Sequence, residues 1–211
     1  MDSLAGLHDD IAACRRCPRL VEWREQVAVE KRAAYRDEPY WGRPVPGFGD
    51  ARASVMVLGL APAAHGANRT GRLFTGDRSG DWLFRALHRA GFANQPHSTS
   101  VDDGMRLKGA WIAAAVRCAP PANKPLPDER EACRSFLQRE IALLRRLQVV
   151  VCLGAFAFEV ACTEFGVKPR PRFGHLAEFA TPSGVTLLCS FHPDRKSTRL
   201  NSSHTDISRM P

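Results

Sequence analysis

The residues most able to do chemistry are cysteines. Cys14-x2-Cys17 is a two-thiol clamp beside Arg15, Arg16 and Arg19, whose positive charge favours the metal-binding thiolate. Cys118 and Cys133 form a second possible pair, with 14 residues between them. Four thiolates can hold zinc or an iron–sulfur cluster. A zinc ribbon usually shows two compact knuckles, and the second pair is not compact. Spacing alone therefore leaves zinc, a cluster between chain segments, and no metal all open. Cys152 and Cys189 lie in the apolar runs VVVCLG and TLLCSF, and Cys162 on an expected helix; these read as small buried hydrophobes. The odd total of seven, without a secretion signal, argues against a disulfide framework.

The elements that must position these groups alternate between strand and helix. SVMVLGL (54–60), the run 110–116 and Val149 to Leu153 are short continuous apolar runs, expected as buried strands. His175 to Ala180 and Thr186 to Phe191 flank the turn TPSG and read as two more. A helical segment is expected over 1–35, and helices over Asp81 to Gly91, from Asp128 onward, and after Gly154. Residues 36–50 and 61–80, rich in Gly and Pro, are expected to be loops. The pattern predicts an α/β fold with a mostly parallel sheet. Ligands bind such sheets beyond the carboxyl ends of the strands. The loops there are 61–80, 118–127 and the one starting at Phe191-His192-Pro193.

Composition sets the outer bounds. The chain has 211 residues, 44% hydrophobic and 25% charged, ordinary values for one globular domain. No apolar run approaches the roughly 20 residues of a membrane helix, and no signal-peptide pattern opens the chain, so a cytoplasmic location and no membrane partner are expected. A net charge of +8 fits a polyanionic partner such as nucleic acid. Residues 195–211 contribute +3 of it. From Asp194 the chain reads DRKSTRLNSSHTDISRMP, without apolar periodicity and similar to translated sequencing-adapter read-through. Residues 194–211 are therefore expected to be a non-native or disordered tail behind a 1–193 domain.

The stretch from Gly59 to Asp77, GLAPAAHGANRTGRLFTGD, with the 118–127 loop and Cys189-Ser-Phe-His-Pro193, resembles the family 5 uracil-DNA glycosylases. These are iron–sulfur members of the uracil-DNA glycosylase superfamily. The resemblance runs from Cys14 to Pro193. It implies a three-layer α/β/α fold around a four-stranded, mainly parallel sheet. It also implies a [4Fe-4S] cluster on Cys14, Cys17, Cys118 and Cys133, and a monomer that removes uracil and other deaminated or damaged bases from DNA.

The resemblance further assigns roles in the loops. Asp77 handles the attacking water, a task suited to a carboxylate beside a cation-like sugar. A cap for the next helix is its structural alternative, although Asp81 could do the capping. His192 donates to the leaving base's carbonyl oxygen as charge develops there. Asn123, in PPANKP, contacts base or water. Phe74 stacks under the flipped base, while Gly59, Leu60, Ala61 and Pro62 offer close backbone approach. Two positions depart from the uracil-selective relatives with clusters, which carry Glu where Leu60 stands and Asn where Ala114 stands. Loss of polar readers relaxes discrimination, so hypoxanthine, xanthine or etheno-cytosine are expected alongside uracil. The motif after His192-Pro193 is also altered, to Asp194-Arg195. Arg69, Arg72, Lys124 and the Arg-rich N-terminal segment are candidate phosphate contacts. A non-catalytic DNA-binding metalloprotein and an inactive fragment are the competing readings.

Overall fold

The computed structural model describes residues 2–193, so the expected tail lies outside the described residues. Among the described residues the strands are β1 (Phe48–Gly49), β2 (Val55–Gly59), β3 (Ala110–Ala114), β4 (Val149–Leu153), β5 (Glu178–Ala180) and β6 (Thr186–Ser190). They form one sheet in the order β1-β3-β2-β4-β6-β5. The central β3-β2-β4-β6 strands are all parallel. Both edge strands are antiparallel, which corrects the expected four-stranded sheet to six. The parallel core was legible because strands covered on both faces read as unbroken apolar runs. Edge strand β1, two residues long inside an expected loop, is too short for any periodicity, while β5 is the end of the strand expected over His175 to Ala180.

Helices α1 (Leu4–Ala12), α2 (Pro18–Glu30), α3 (Ala67–Thr70), α4 (Arg78–Arg89), α5 (Pro127–Leu143) and α6 (Ala155–Glu164) surround the sheet. Strand alternation sorts them into layers. Met56 and Leu58 of β2 pack with Leu137 of α5 and Phe158 of α6. Val57 between them faces Leu83, Phe84 and Leu87 of α4. The result is α/β/α. A third cluster joins Leu7, Ile11 and Leu20 of α1 and α2 to Val116 and to Phe136 of α5. The helical segment expected over 1–35 is two helices, because Pro18 occupies a first-turn position of α2 and forces a fresh start. The break leaves Cys14 and Cys17 on irregular chain. Helix α4 begins at Arg78 rather than Asp81, since Asp77 itself caps it. No helix among the described residues is long and apolar enough to cross a membrane.

One ion pair is fully buried. Arg117, just after β3, pairs with Glu140 of α5, at 1% and 0% side-chain exposure. Glu140 also accepts the Gly47 amide at 3.1 Å. A Cβ on Gly47 would sit 2.2 Å from Glu140 Oε1, so glycine there is a steric requirement. Such a pair adds little over an apolar replacement, but removing one member strands a buried charge. Glu140→Gln is expected to lower unfolding free energy by about 3 kcal/mol. Urea denaturation would measure it, and a loss near zero would contradict the assignment.

Candidate active site and cysteine centre

The carboxyl ends of the parallel strands open on a cleft of about 560 Å³. Leu60, Ala61 and Pro62 enter it directly after β2, Asn123 from the 118–127 loop, and His192 after β6. Phe74 and Asp77 come from the segment leading into α4. Sequence reading missed Ala63, Leu73, Arg78 and Ser79, which also line it. Their only signal was adjacency to the named residues. Ala114 does not join them: it lies buried at the end of β3, paired with Gly59 and packed in the core toward α4. It shares that face with Leu73 and Phe74, which do line the cleft, but is itself buried beneath it.

Local backbone strain concentrates here. Phe74 and Asn123 have positive φ of 54° and 56°, and Ala122 has 52°. Left-handed non-glycine residues are uncommon and tend to mark functional sites. Gly59 fixes the Phe74 ring from beneath, since a Cβ there would meet the ring at 2.9 Å. Phe74 also packs against the core, so the core and cleft readings hold together. Its ring centroid is 6.2 Å from that of His192. The cleft thus offers an aromatic face, an imidazole and a carboxylate within a volume suited to a small planar ligand.

Asp77 does two things at once. Oδ1 accepts the Gly80 amide at 2.9 Å, which makes Asp77 the helix cap. Burial raises its pKa above the ordinary carboxylate value, against the lowering pull of the Gly80 and Ser79 amides and of nearby His192. Gly66 makes room for the other oxygen: a Cβ there would lie 2.2 Å from Oδ2.

Arg69 and Arg72 are not available for phosphates. Arg69 is buried, pairs with Glu38, stacks on Tyr35, and donates to the carbonyls of His65 and Gly76 at 2.9 Å each. Arg72 is buried with Ser98, Thr75 and Asp103, the last at 2.6 Å. The N-terminal arginines are also engaged: Arg15 with Glu25, Arg16 with the Ala132 carbonyl, and Arg19 with Glu129. Lys124 remains exposed at the cleft loop. Charge content could not reveal which arginines find carboxylates from distant segments.

Cys14, Cys17, Cys118 and Cys133 line one small cavity between α2, the segment after β3, and α5. Among the described residues, no group of three or more His, Cys, Asp or Glu is arranged to hold a metal ion. Burial pushes Cys133 up to about 11 and Cys118 up to about 12, so thiolates here need a positive partner. Two donors point at the sulfurs: Arg24 Nη1 lies 3.0 Å from Cys118 Sγ, and the Arg117 amide 3.3 Å from Cys133 Sγ. Arg24 is 2% exposed, with its Nε unpartnered and its nearest carboxylate, the half-exposed Glu25, 3.8 Å away. That buried cation lacks a buried counter-charge, and an anionic thiolate centre would supply it.

Comparison with known proteins agrees with this geometry. The profile of the Uracil DNA glycosylase superfamily matches residues 46–206. A type-5 uracil-DNA glycosylase of Mycobacterium bovis is 53% identical over 197 residues, covering 92% of this chain and 74% of the relative. One from Thermus thermophilus is 50% identical over 190 residues, 90% of this chain and 86% of the relative. A type-4 uracil-DNA glycosylase of Archaeoglobus fulgidus is 28% identical over 169 residues, 80% of this chain and 68% of the relative.

The raised Asp77 pKa fixes a sign. The folded state holds that proton more tightly than the unfolded chain, so ionised Asp77 opposes folding at neutral pH. The burden lifts as pH falls through the raised value toward the unfolded one. Asparagine keeps a good cap and removes the charge. Asp77→Asn is therefore expected to melt above wild type at neutral pH, and Asp77→Ala about 1 kcal/mol below the Asn variant for loss of the cap. Calorimetry would contradict this if Asp77→Asn melted lower than wild type.

Proposed function

The chain belongs to the type-5 uracil-DNA glycosylases of the uracil-DNA glycosylase superfamily, and on that footing we propose that it is a monofunctional DNA repair hydrolase, breaking the N-glycosidic bond of uracil and related deaminated bases flipped out of DNA. The observation that carries this reading is the cleft, where Asp77, Phe74, His192 and Asn123 converge at the strand ends. The flipped base lies on the Phe74 ring, on the floor that Gly59 allows. Asp77 orients a water toward the anomeric carbon and offsets the positive charge on the sugar. As the water oxygen bonds to that carbon, the bond to the base nitrogen breaks and its electron pair leaves with the base. Asp77 takes the proton that the water loses, the base leaves as an anion, and the products are an abasic site and the free base. His192 donates toward the base carbonyl oxygen where that negative charge collects. Asn123, exposed at the cleft rim, contacts base or water.

Leu60 enters the cleft as an apolar residue and Ala114 is withdrawn from it, so few polar groups test the base edge. That supports a range wider than uracil, since discrimination is strong only where a buried polar group would be left unpaired.

Cys14, Cys17, Cys118 and Cys133 hold a [4Fe-4S] cluster in this reading. The buried thiol set and the uncompensated Arg24 support it. Bound there, it would supply a rigid cross-link among the N-terminal helices, the segment after β3, and α5. The chain acts as a cytoplasmic monomer.

Two measurements test the reading. On a duplex carrying uracil, the protein is expected to leave alkali-labile abasic sites. Asp77→Asn should fall by at least about a hundredfold, the lower end of what a positioned acid or base contributes. Full activity in Asp77→Asn would remove the role given to Asp77. For the cysteine centre, protein purified without oxygen should carry iron and sulfide. Arg24→Gln should lose much of that iron, with Arg24→Lys restoring it because the charge returns. Colourless protein loaded with zinc would overturn the cluster.

A further inference from the structure

Helix α4 begins at the cleft and runs away from it with a divided surface. Leu83, Phe84 and Leu87 face the core, and Gly80 is buried with them. At about 100° per residue, Arg78, Trp82, Arg85 and Arg89 fall on the opposite side within an arc of roughly 60°. All four are exposed, and Trp82 at 55% is a large ring in water with no core role. Arg78, Arg85 and Arg89 make no ion pair or hydrogen bond among the described residues. Most arginines elsewhere near the cleft are bound internally, as Arg69 and Arg72 are. Asp81 at the edge of the stripe is its only acidic neighbour on the helix. Arg78 also lines the cleft itself, so the stripe is continuous with the site.

We infer that this face of α4 is a docking track for one DNA strand leaving the cleft, its arginines contacting successive phosphates and Trp82 packing on a sugar or base. The inference rests on the proposed function, which makes DNA the partner, and adds where the flanking strand lies. Free guanidinium groups on one line complement a regular polyanion. An exposed indole between them matches the alternation of charge and stacking surface along a strand. From Arg78 to Arg89 the stripe spans about 16 Å of helix axis. At 3.4 Å rise per strand, that is roughly five nucleotides.

The experiment compares binding to a short uracil-free duplex over a range of salt. Arg85→Ser/Arg89→Ser should flatten the slope of log affinity against log salt by nearly two, about 0.9 for each phosphate contact removed. Trp82→Ala should weaken binding without altering the slope, because a ring carries no charge. The control is Arg145→Ser/Arg146→Ser, which removes the same charge just before β4, at the opposite end of the strands. That pair should leave the slope unchanged. If both double variants flatten it equally, net charge explains the effect and the track is overturned. An unchanged slope in Arg85→Ser/Arg89→Ser overturns it as well. Wild-type protein that binds no duplex at all would remove the repair function, and the track with it. The substituted side chains are exposed, so an unchanged melting temperature certifies each variant as folded.

Discussion

The Arg69 guanidinium holds the site loop closed on itself. It takes the carbonyls of His65 and Gly76, the two sides of the Gly-rich segment, and binds Glu38 and Tyr35 from a separate stretch of chain. A segment with this much glycine loses a great deal of conformational entropy on ordering. Local propensity cannot repay that. Charge-assisted hydrogen bonds to buried carbonyls can, because each is stronger than a neutral one and leaves no carbonyl unsatisfied. Arg72 does the same work one turn further along, fixing Thr75, Ser98 and Asp103 around the strained Phe74. Phe74 stays left-handed because both neighbours are locked and Gly59 admits its ring.

The cysteine cavity is tied to that loop through a chain of side-chain and backbone hydrogen bonds. Arg24 reaches Cys118 with its guanidinium, while its own carbonyl accepts from fully buried Asn68 of α3. The Asn68 carbonyl in turn accepts the Gly42 amide. Helices α1 and α2 therefore do more than cover the sheet. They set the height of α3 and, through it, the Arg69 anchor one residue later.

Much of this was readable beforehand, and the failures have definite causes. The four parallel strands announced themselves as buried apolar runs, and the loops after them gathered Leu60, Phe74, Asp77, Asn123 and His192 into one cleft. The edge strand β1 did not, because two residues inside a Pro- and Gly-rich loop carry no period, whereas β5 lies within the strand expected over His175 to Ala180. Pro18 marks the break before α2, as a first-turn proline usually does, where one helical segment was expected. Burial of arginines was invisible for a deeper reason. Their partners, Glu38 for Arg69 and Asp103 for Arg72, are about thirty residues away. Ala114 takes the same face as Leu73 and Phe74 yet is fully covered, and depth of burial is not readable from a strand's position.

In the proposed reading, Asp77 is one carboxylate asked to meet two demands, as helix cap and as the group that handles water. As cap, it must hold fixed geometry against the first-turn amides of α4. As a base-side group, it must be ionised, close to the substrate and poorly solvated. The helix serves both, since amides and the positive end of the dipole favour the charged form. Burial opposes them and prevails, leaving the pKa raised. The balance has a purpose. A carboxylate stabilised fully by amides would be a feeble base, its charge already spent on the helix. One with no such support would be protonated once buried. Held between the two, the Asp77 carboxylate is a stronger base than an ordinary one, which suits it to take a proton from water in the proposed reaction.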